Sequence, residues 1–417
     1  MRPETAGNQQ LIKDINRMAL VRCLCANPGL SRADLAPAVD LTKSTISLLV
    51  RELIAEGWLV ERELVTTGDL GRRPTPLFID PSRLLLLGVD VAVGSLRIVA
   101  TTLTGDVLAR TVSSFGPDNC VKECLSNLVA GLQKVRKQLK AGQTIIGIGV
   151  GLPGGVDETT GTLQLAPNLG WRDVPFGAML RDKLKNSALA DVPLFVQNEA
   201  DVAAVGEQEF NPHGVANPLL YVSINHGVGA GVIVNDRLLT GARGFAGEVG
   251  HMVLQVNGPI CTCGRRGCAE ALIGLRALLQ LPLQPDQQLA QEPLAEIQRK
   301  LAERDGDTLQ AVSIAGRHLG VLLQNLASAY DPGCIVLGGA VVDLGDPYLQ
   351  PALQTLGDYT AAANLPLPTV RISHFGADAV AIGAAALARY RLTRPVISNA
   401  ASSKIAVVHN PSEQEIN

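Results

Sequence analysis

The sequence predicts an α/β protein in which a winged helical module precedes two similar lobes. Three observations carry this. Residues 8–63 are helix-patterned and poor in glycine, and residues 84–395 alternate apolar strand-like runs with helices and Gly-rich turns. Within that longer part the order of strands, then a helix, then a strand occurs twice, which fits a pair of lobes better than one large sheet. At 417 residues the chain also exceeds a single core and suits two or three domains of roughly 100–200 residues each. Two lobes enclose a cleft, where ligands usually bind.

The first helix is read from NQQLIKDINRMALVRCL, where Leu11, Ile12, Ile15, Met18, Ala19 and Leu24 recur close to a 3.6-residue period. Pro28-Gly29 ends it. Ser31 starts a second, short helix, SRADLAPAV, with Asp34 three residues on as a cap partner. Thr42 caps a third, KSTISLLVRELIAEG, which stops at Gly57. WLVE at 58–61 follows as a short strand, the expected wing. A short helix, a turn and a helix opening Thr-Lys-Ser-Thr-x-Ser make a helix-turn-helix pattern. Ser31, Thr42, Lys43, Ser44, Thr45 and Ser47 are the expected contacts to double-stranded DNA, while Ile46, Leu49, Leu53 and Ile54 pack inward. Bulk charge lends no help, since residues 1–83 hold eleven Lys/Arg against ten Asp/Glu. A helical protein-interaction module is the competing reading, and helix order, caps and wing outweigh it.

The module is placed at 1–65 and a linker at 66–83, whose stretch TTGDLGRRPTPLFIDPS holds three prolines and two glycines. Arg72-Arg73, between Gly71 and Pro74, can lie extended in a narrow minor groove, where Arg is attracted by a stronger negative potential. A solvated pair in a linker is the bland alternative. Lobe 1 is placed at 84–197, completed by about 375–395, lobe 2 at 198–374, and a flexible tail at 396–417. Buried strands are expected at 84–93, 96–103, 145–153, 194–198, 221–224, 231–235 and 334–341. Helices are expected at about 120–140, 175–188, 311–329 and 378–391.

Composition excludes several classes. Lys+Arg 36 against Asp+Glu 39 leaves −3, so no whole-chain field draws it onto nucleic acid or membrane. Apolar residues at 47 % argue against global disorder. No apolar run reaches the ~20 residues of a membrane span, and MRPETAGNQQ lacks a signal-peptide layout, so a cytoplasmic protein is expected.

Eight cysteines in this length are too dilute for a disulfide scaffold. Three of them cluster in GHMVLQVNGPICTCGRRGCAE, which places His251, Cys261, Cys263 and Cys268 within eighteen residues. One imidazole and three thiolates form a tetrahedral zinc set with no position left for water, hence a structural zinc element. Cys23, Cys25, Cys120, Cys124 and Cys334 lack such partners and read as core residues. Around the cluster sit Asn168 in APNLGW, Asn198 and Glu199 after LFVQ, Glu248 three residues before His251, and Glu270. Carboxylates, amides and the free edge of His251 converging in a cleft suit a polyhydroxylated ligand.

Together these residues resemble the ROK family (repressors, open reading frames and sugar kinases). Ile224-Asn225-His226-Gly227-Val228-Gly229-Ala230-Gly231, then Gly241 and Gly247-Glu248-Val249-Gly250-His251, are similar to its signature, and the following Cys-x-Cys-x4-Cys-x-Glu to its zinc element. The resemblance covers about 8–395. It implies two actin-like (ribonuclease-H-like) lobes of the sugar-kinase type closing over a sugar, with the N-terminal module present only in the repressor branch. It also implies that Asn168, Asn198, Glu199, Glu248, His251 and Glu270 contact the sugar, His251 serving zinc with one nitrogen and sugar with the other. NEAD at 198–201 with NGPICTCGRRGC looks most like the family's xylose repressors.

Departures from the kinase pattern point away from an enzyme. Kinases of the family carry Asp-x-Gly-Gly-Thr at the first phosphate loop, and here Ala92 and Val93 put Cβ atoms where backbone approaches phosphate. The second loop has His226-Gly227 in place of Thr-Gly, and Glu199 is one methylene longer than the catalytic Asp. A displacement of ~1 Å can lower a rate about 100-fold. The expectation is a non-enzymatic, sugar-responsive repressor, a homodimer or tetramer on a two-fold operator, released by xylose or a related sugar. An ATP-dependent sugar kinase with a DNA-binding appendage is the alternative, and a repressor governed by a protein partner is a third.

Overall fold

In the computed structural model, residues 9–62, 75–116, 120–210, 216–279 and 293–394 are described. Arg72, Arg73 and the expected tail at 396–417 lie outside them. Helix α1 (Gln9–Ala26) buries Met18, Leu20, Val21 and Leu24, whereas Ile12, expected inward, is half exposed. Helix α2 (Arg32–Ala38) and helix α3 (Lys43–Glu56) follow, and α3 ends on Gly57 in the left-handed region at φ 85°. Strand β1 (Leu59–Glu61) pairs antiparallel with β2 (Leu77–Ile79) to form the wing. The β2 strand falls inside the segment read as linker, so the wing returns beyond residue 65. A three-residue strand among prolines shows no period, yet Leu77 is fully buried and closes the module's core.

Lobe 1 runs through β3 (Leu84–Ala92), β4 (Ser95–Thr102), β5 (Val107–Ser114), α4 (Val121–Arg136) and β6 (Thr144–Leu152). A small antiparallel sheet of β7 (Gly155–Asp157), β8 (Thr162–Ala166) and β9 (Trp171–Val174) and helix α5 (Phe176–Leu184) precede its last strand, β10 (Leu194–Asn198). The five-stranded sheet has the order β10-β6-β3-β4-β5, with β3, β6 and β10 parallel and β4 antiparallel to both of its neighbours.

Lobe 2 repeats the plan. Helix α6 (Glu199–Glu209) leads into β11 (Leu219–Ile224), β12 (Val228–Val234) and β13 (Arg237–Leu238). Short helices α7 (Glu270–Ile273) and α8 (Leu275–Leu278), then α9 (Pro293–Ala302) and α10 (Gly306–Tyr330), lead to β14 (Cys334–Gly338). Helix α11 (Asp346–Ala362) and β15 (Thr369–Ile372) complete the order β13-β12-β11-β14-β15, with the same parallel and antiparallel pairings. The final helix, α12 (Ala379–Thr393), returns to lobe 1 and packs on β3 and β6.

That return needs very small residues. A Cβ on Gly149 of β6 would stand 1.7 Å from the Ala384 carbonyl oxygen, and one on Gly383 would stand 2.2 Å from that of Val202. So α6, lying on β11 and β12, and α12, lying on lobe 1, cross almost backbone to backbone between the lobes. The sequence reading missed α6 because Ala200 to Glu207 are all buried, and a helix enclosed on every side has no polar face to set a period. It also missed β5, β7 to β9, α9, α11 and β15. Among the described residues no helix is long and apolar enough to cross a membrane.

Candidate functional site

A cavity of about 390 Å³ opens between the lobes, and all six residues expected at a sugar line it: Asn168, Asn198, Glu199, Glu248, His251 and Glu270. Asn198 sits where β10 gives way to α6 and is committed to the backbone. Its Oδ1 accepts from the Ala200 and Asp201 amides at 2.8 and 3.3 Å, and its Nδ2 donates to the Gly154 carbonyl at 2.9 Å. That cap aims Glu199, the first residue of α6, into the cleft. Asn168 and Glu270 meet over Gly227, where a Cβ would stand 3.1 Å from Asn168 Nδ2 and 3.0 Å from Glu270 Oε2. Glu270 Oε1 accepts from Thr262 Oγ1 at 2.7 Å, which fixes its remaining oxygen toward the cavity. Glu248 Oε2 lies 3.9 Å from His251 Nε2.

Burial raises three carboxyls of the cavity, Glu199, Asp90 and Glu248, well above the ordinary range. Glu199 rises to about 8, through burial first and then the nearby charges of Asp90, Glu248 and Glu270. Asp90 rises to about 7 through burial, opposed by Arg97 and reinforced by Asp378. Glu248 rises to about 7 through burial and then Glu270. A carboxyl kept neutral near pH 7 can donate a hydrogen bond as well as accept one. Asp90 Oδ1 and His226 Nε2 are buried with no hydrogen-bond partner among the described residues, and both residues line the cavity. Burial lowers the His226 imidazole and so favours its neutral form. Asp90 was not among the residues expected at the site. A lone charge in the run LLLLGVDVAV was the available signal.

One wall of the cavity is the loop that carries the cysteines. A ring nitrogen of His251 and the sulfurs of Cys261, Cys263 and Cys268 all lie within 4.8 Å of one another. His251 Nδ1 is 3.6 Å from Cys261 Sγ, and Cys263 Sγ is 3.7 Å from Cys268 Sγ. A tetrahedral zinc with bonds of about 2.3 Å sets sulfurs about 3.8 Å apart, so donor types and spacing both fit. Antiparallel bridges Val253 to Cys268 and Ile260 to Arg266 fold the loop on itself. Gly267, at φ 68°, is required there, since a Cβ would stand 1.5 Å from the Gln255 carbonyl oxygen. The cluster can hold a metal ion.

On the module, Lys43, Ser44 and Ser47 lie exposed on the outer face of α3. Thr42 Oγ1 caps the Thr45 amide at 3.2 Å, and Ser47 Oγ donates to the Lys43 carbonyl at 2.9 Å. Ser31 departs from expectation. It is 3 % exposed, its hydroxyl donates to Asp34 Oδ2 at 2.7 Å, and it serves as the cap of α2 instead of facing DNA. Leu48, 49 % exposed, and Arg51 share the outer face of α3 and were not expected there.

A helix-turn-helix with a wing, joined to two lobes of one topology around an acid-lined cleft, defines a ligand-binding body that carries a nucleic-acid-binding module. Residues 86–391 match the model of the ROK family and residues 13–60 that of winged helix-turn-helix DNA-binding domains; the chain belongs to the ROK family. It is 32 % identical over 356 residues to a putative xylose repressor of Caldicellulosiruptor sp. (strain Rt8B.4), covering 82 % of this chain and 88 % of that one. It is 30 % identical over 396 residues to the xylose repressor of Caldicellulosiruptor bescii, covering 91 % and 97 %. A solved ROK family transcriptional regulator, described as a homologue of the E. coli MLC protein, superposes with TM-score 0.71 at 25 % identity, covering 92 % of this chain and 97 % of that one.

Proposed function

We propose that this protein is a sugar-responsive DNA-binding repressor, with xylose or a related sugar as its effector. The observation that carries the reading is the coexistence, in one chain, of the winged helix-turn-helix and an interlobe cleft lined by Asn168, Glu199, Glu248, His251 and Glu270. Glu199 and Glu248 present hydroxyl-matching groups that both donate and accept, as the hydroxyls of a sugar do. Asn198 acts as the cap that aims Glu199. On the module, Lys43 serves phosphate, while Ser44, Thr45 and Ser47 stand nearest the base edges. Arg72 and Arg73 add a minor-groove contact. The protein works in the cytoplasm as a homodimer or tetramer, because paired modules about 34–36 Å apart read a two-fold operator.

The His251–Cys261–Cys263–Cys268 set holds a structural zinc ion, and its closed set of four protein ligands supplies rigidity and no catalysis. His251 Nδ1 faces the sulfurs while Nε2 faces the cleft beside Glu248, so the metal loop and the sugar site share one ring.

The mechanism is linkage. Sugar bridges groups of lobe 1 (Asn168) and of lobe 2 (Glu248, His251, Glu270), favours closed lobes, and moves the paired modules out of operator register. The cleft suits this role better than phosphoryl transfer. Among the described residues, Asp90, Glu199, Glu248, Glu270 and Asp343 line it with one Arg, Arg97, which is held at 2.9 Å by Asp378. Arg97 is thus already paired and not free to meet a nucleotide's phosphates. The test is thermal melting and calorimetry of the full chain against pentoses, hexoses and amino sugars, alongside ATP consumption and binding to selected DNA. Xylose is expected to raise Tm without ATP and to weaken DNA binding, with no ATP consumed. ATP turnover with any sugar would establish the kinase reading, and sugar-independent DNA binding would sink the repressor mechanism.

A further inference from the structure

Helices α6 and α12 each have one end in the cleft and the other beneath the DNA-binding module. Asn198 and Glu199 at the start of α6 and Ala379 and Val380 at the start of α12 line the cavity. Eleven and fifteen residues carry the two helices about 16 and 22 Å away from it, at 1.5 Å per residue. At their far ends lies a charged junction. Glu209 Oε2 accepts from Arg389 Nε at 2.9 Å, and its Oε1 pairs with Arg394 at 2.8 Å. Arg389, 4 % exposed, also donates to the Leu103 carbonyl of lobe 1 at 2.7 Å and to the Glu209 carbonyl, and lies 3.5 Å from Cys25 Sγ of α1. Arg394 reaches Asp236, in the turn between β12 and β13 of lobe 2, at 2.6 Å. Arg22 of α1 donates to the Thr393 carbonyl at the end of α12.

Three bodies thus meet at one point. Lobe 1 contributes Leu103 and α12, lobe 2 contributes α6 and Asp236, and the module contributes Arg22 and Cys25. The contacts are directional hydrogen bonds and ion pairs, so a rotation between the lobes cannot slide past them as apolar packing could; it must break or re-form them. Glu207, two residues earlier on α6, is held by Arg371 and Ser373 of lobe 2, both at 2.6 Å. Phe210, just past the end of α6, packs on Gly105 of lobe 1, where a Cβ would stand 2.6 Å from its ring, and beneath Arg389 at 4.6 Å. Glu209 therefore sits between an anchor on each lobe.

Resting on the repressor reading above, we propose that Glu209 and Arg389 are positioning residues for the DNA-binding module. They tie α6, α12 and α1 into a junction that converts the angle between the lobes into the orientation of α1. Sugar acting on Glu199 at one end of α6 is then read at Arg22 and Cys25 through the other end.

The test uses the full chain, with Glu209→Gln to break the junction and Arg22→Gln to remove only its bond to the module, in case the first variant fails to fold. Lys185→Gln, in the exposed Lys185–Asp182 pair, is the control. Hydrogen exchange of residues 20–26 without ligand is expected to quicken several-fold in both junction variants and not in the control. Binding is then measured with a duplex that the wild-type chain selects from a random pool, with and without xylose. Both junction variants are expected to keep the xylose Kd within about two-fold of wild type, while the xylose-dependent ratio of DNA affinities falls toward one. Glu209→Asp, which keeps the carboxylate, should restore part of that ratio, an outcome that a merely structural role would not produce. Unchanged exchange in residues 20–26 together with a wild-type ratio would overturn the junction. A wild-type chain whose DNA binding ignores xylose would instead overturn the repressor reading, and the exchange result alone would then decide whether the junction docks the module.

Discussion

At the residue scale, the cleft depends on two kinds of side chain that sequence chemistry marks differently. The cysteine cluster is marked by spacing. If it holds zinc, Cys263→Ala leaves a three-ligand site, and the protein should lose its content of about one zinc per chain, melt several degrees lower and lose sugar response. Metal analysis beside a melting curve checks this, and unchanged melting would show that the thiols are not metal ligands. The buried carboxyls are marked by burial. Glu199 titrates near 8 in the folded protein but near 4.5 when unfolded, so the native state binds the proton more tightly. Stability from this residue is therefore undiminished below about pH 4.5, declines as pH rises, and is at its lowest above pH 8. Glu199→Gln keeps the neutral form at every pH. It should match wild type near pH 4.5 and exceed it at pH 9 by on the order of 3 kcal/mol, less than the full shift implies because Glu199 borders the open cleft. Urea melts at the two pH values check it, and parallel profiles would mean Glu199 ionises normally.

At the element scale, the α6–α12 crossing is the most sequence-sensitive packing in the body. Gly383→Ala would push a methyl to about the 2.2 Å that separates its Cβ position from the Val202 carbonyl oxygen. Either the helices separate or the lobes re-angle, so a loss of at least about 2 kcal/mol is expected, in the range of overpacked cores. Thr42→Ala, which removes only the cap of α3, should lower stability by about 1 kcal/mol. A smaller loss at residue 383 than at residue 42, in paired denaturation curves, would show the crossing to be loose. The contrast also explains what the sequence revealed. The caps Ser31 and Thr42, the left-handed Gly57 and the apolar runs of β3, β6 and β14 were legible because each is a local cause with a local effect. Helix α6 was not, since its enclosure between β11, β12 and α12 erases the very periodicity that identifies helices. The β2 strand was hidden likewise, because pairing with β1 across residues 62–76 leaves no mark in three residues. The same distinction runs through the site. Spacing announced His251 and the cysteines, polar residues amid apolar runs marked Asn168 and Glu199 before the resemblance implied a sugar, and the exposed Leu48 and Arg51 of α3 became visible only once the helix was packed. Ser31 was legible as a cap with Asp34 and was also expected at DNA, since its hydroxyl looks in sequence like those of Ser44 and Ser47; its burial shows that the cap takes the hydroxyl.

At the scale of the whole molecule, cleft and DNA module are joined by α6 and α12, and that connection constrains the energetics. If xylose lowers the affinity for DNA by some factor, DNA must lower the affinity for xylose by the same factor, because both describe one coupling free energy. A factor of 100 corresponds to about 2.7 kcal/mol, which a handful of directional bonds between the lobes and at the far ends of the helices can supply. Two titrations check the equality: xylose into the free protein and into the protein saturated with its selected duplex, compared with DNA binding at zero and saturating xylose. Equal factors well above one are expected. Factors of one in both directions would mean that the cleft and the module act independently despite the shared helices. Unequal factors would mean that a further equilibrium, such as assembly of the oligomer, changes with one ligand, and the missing free energy would then lie in contacts between subunits.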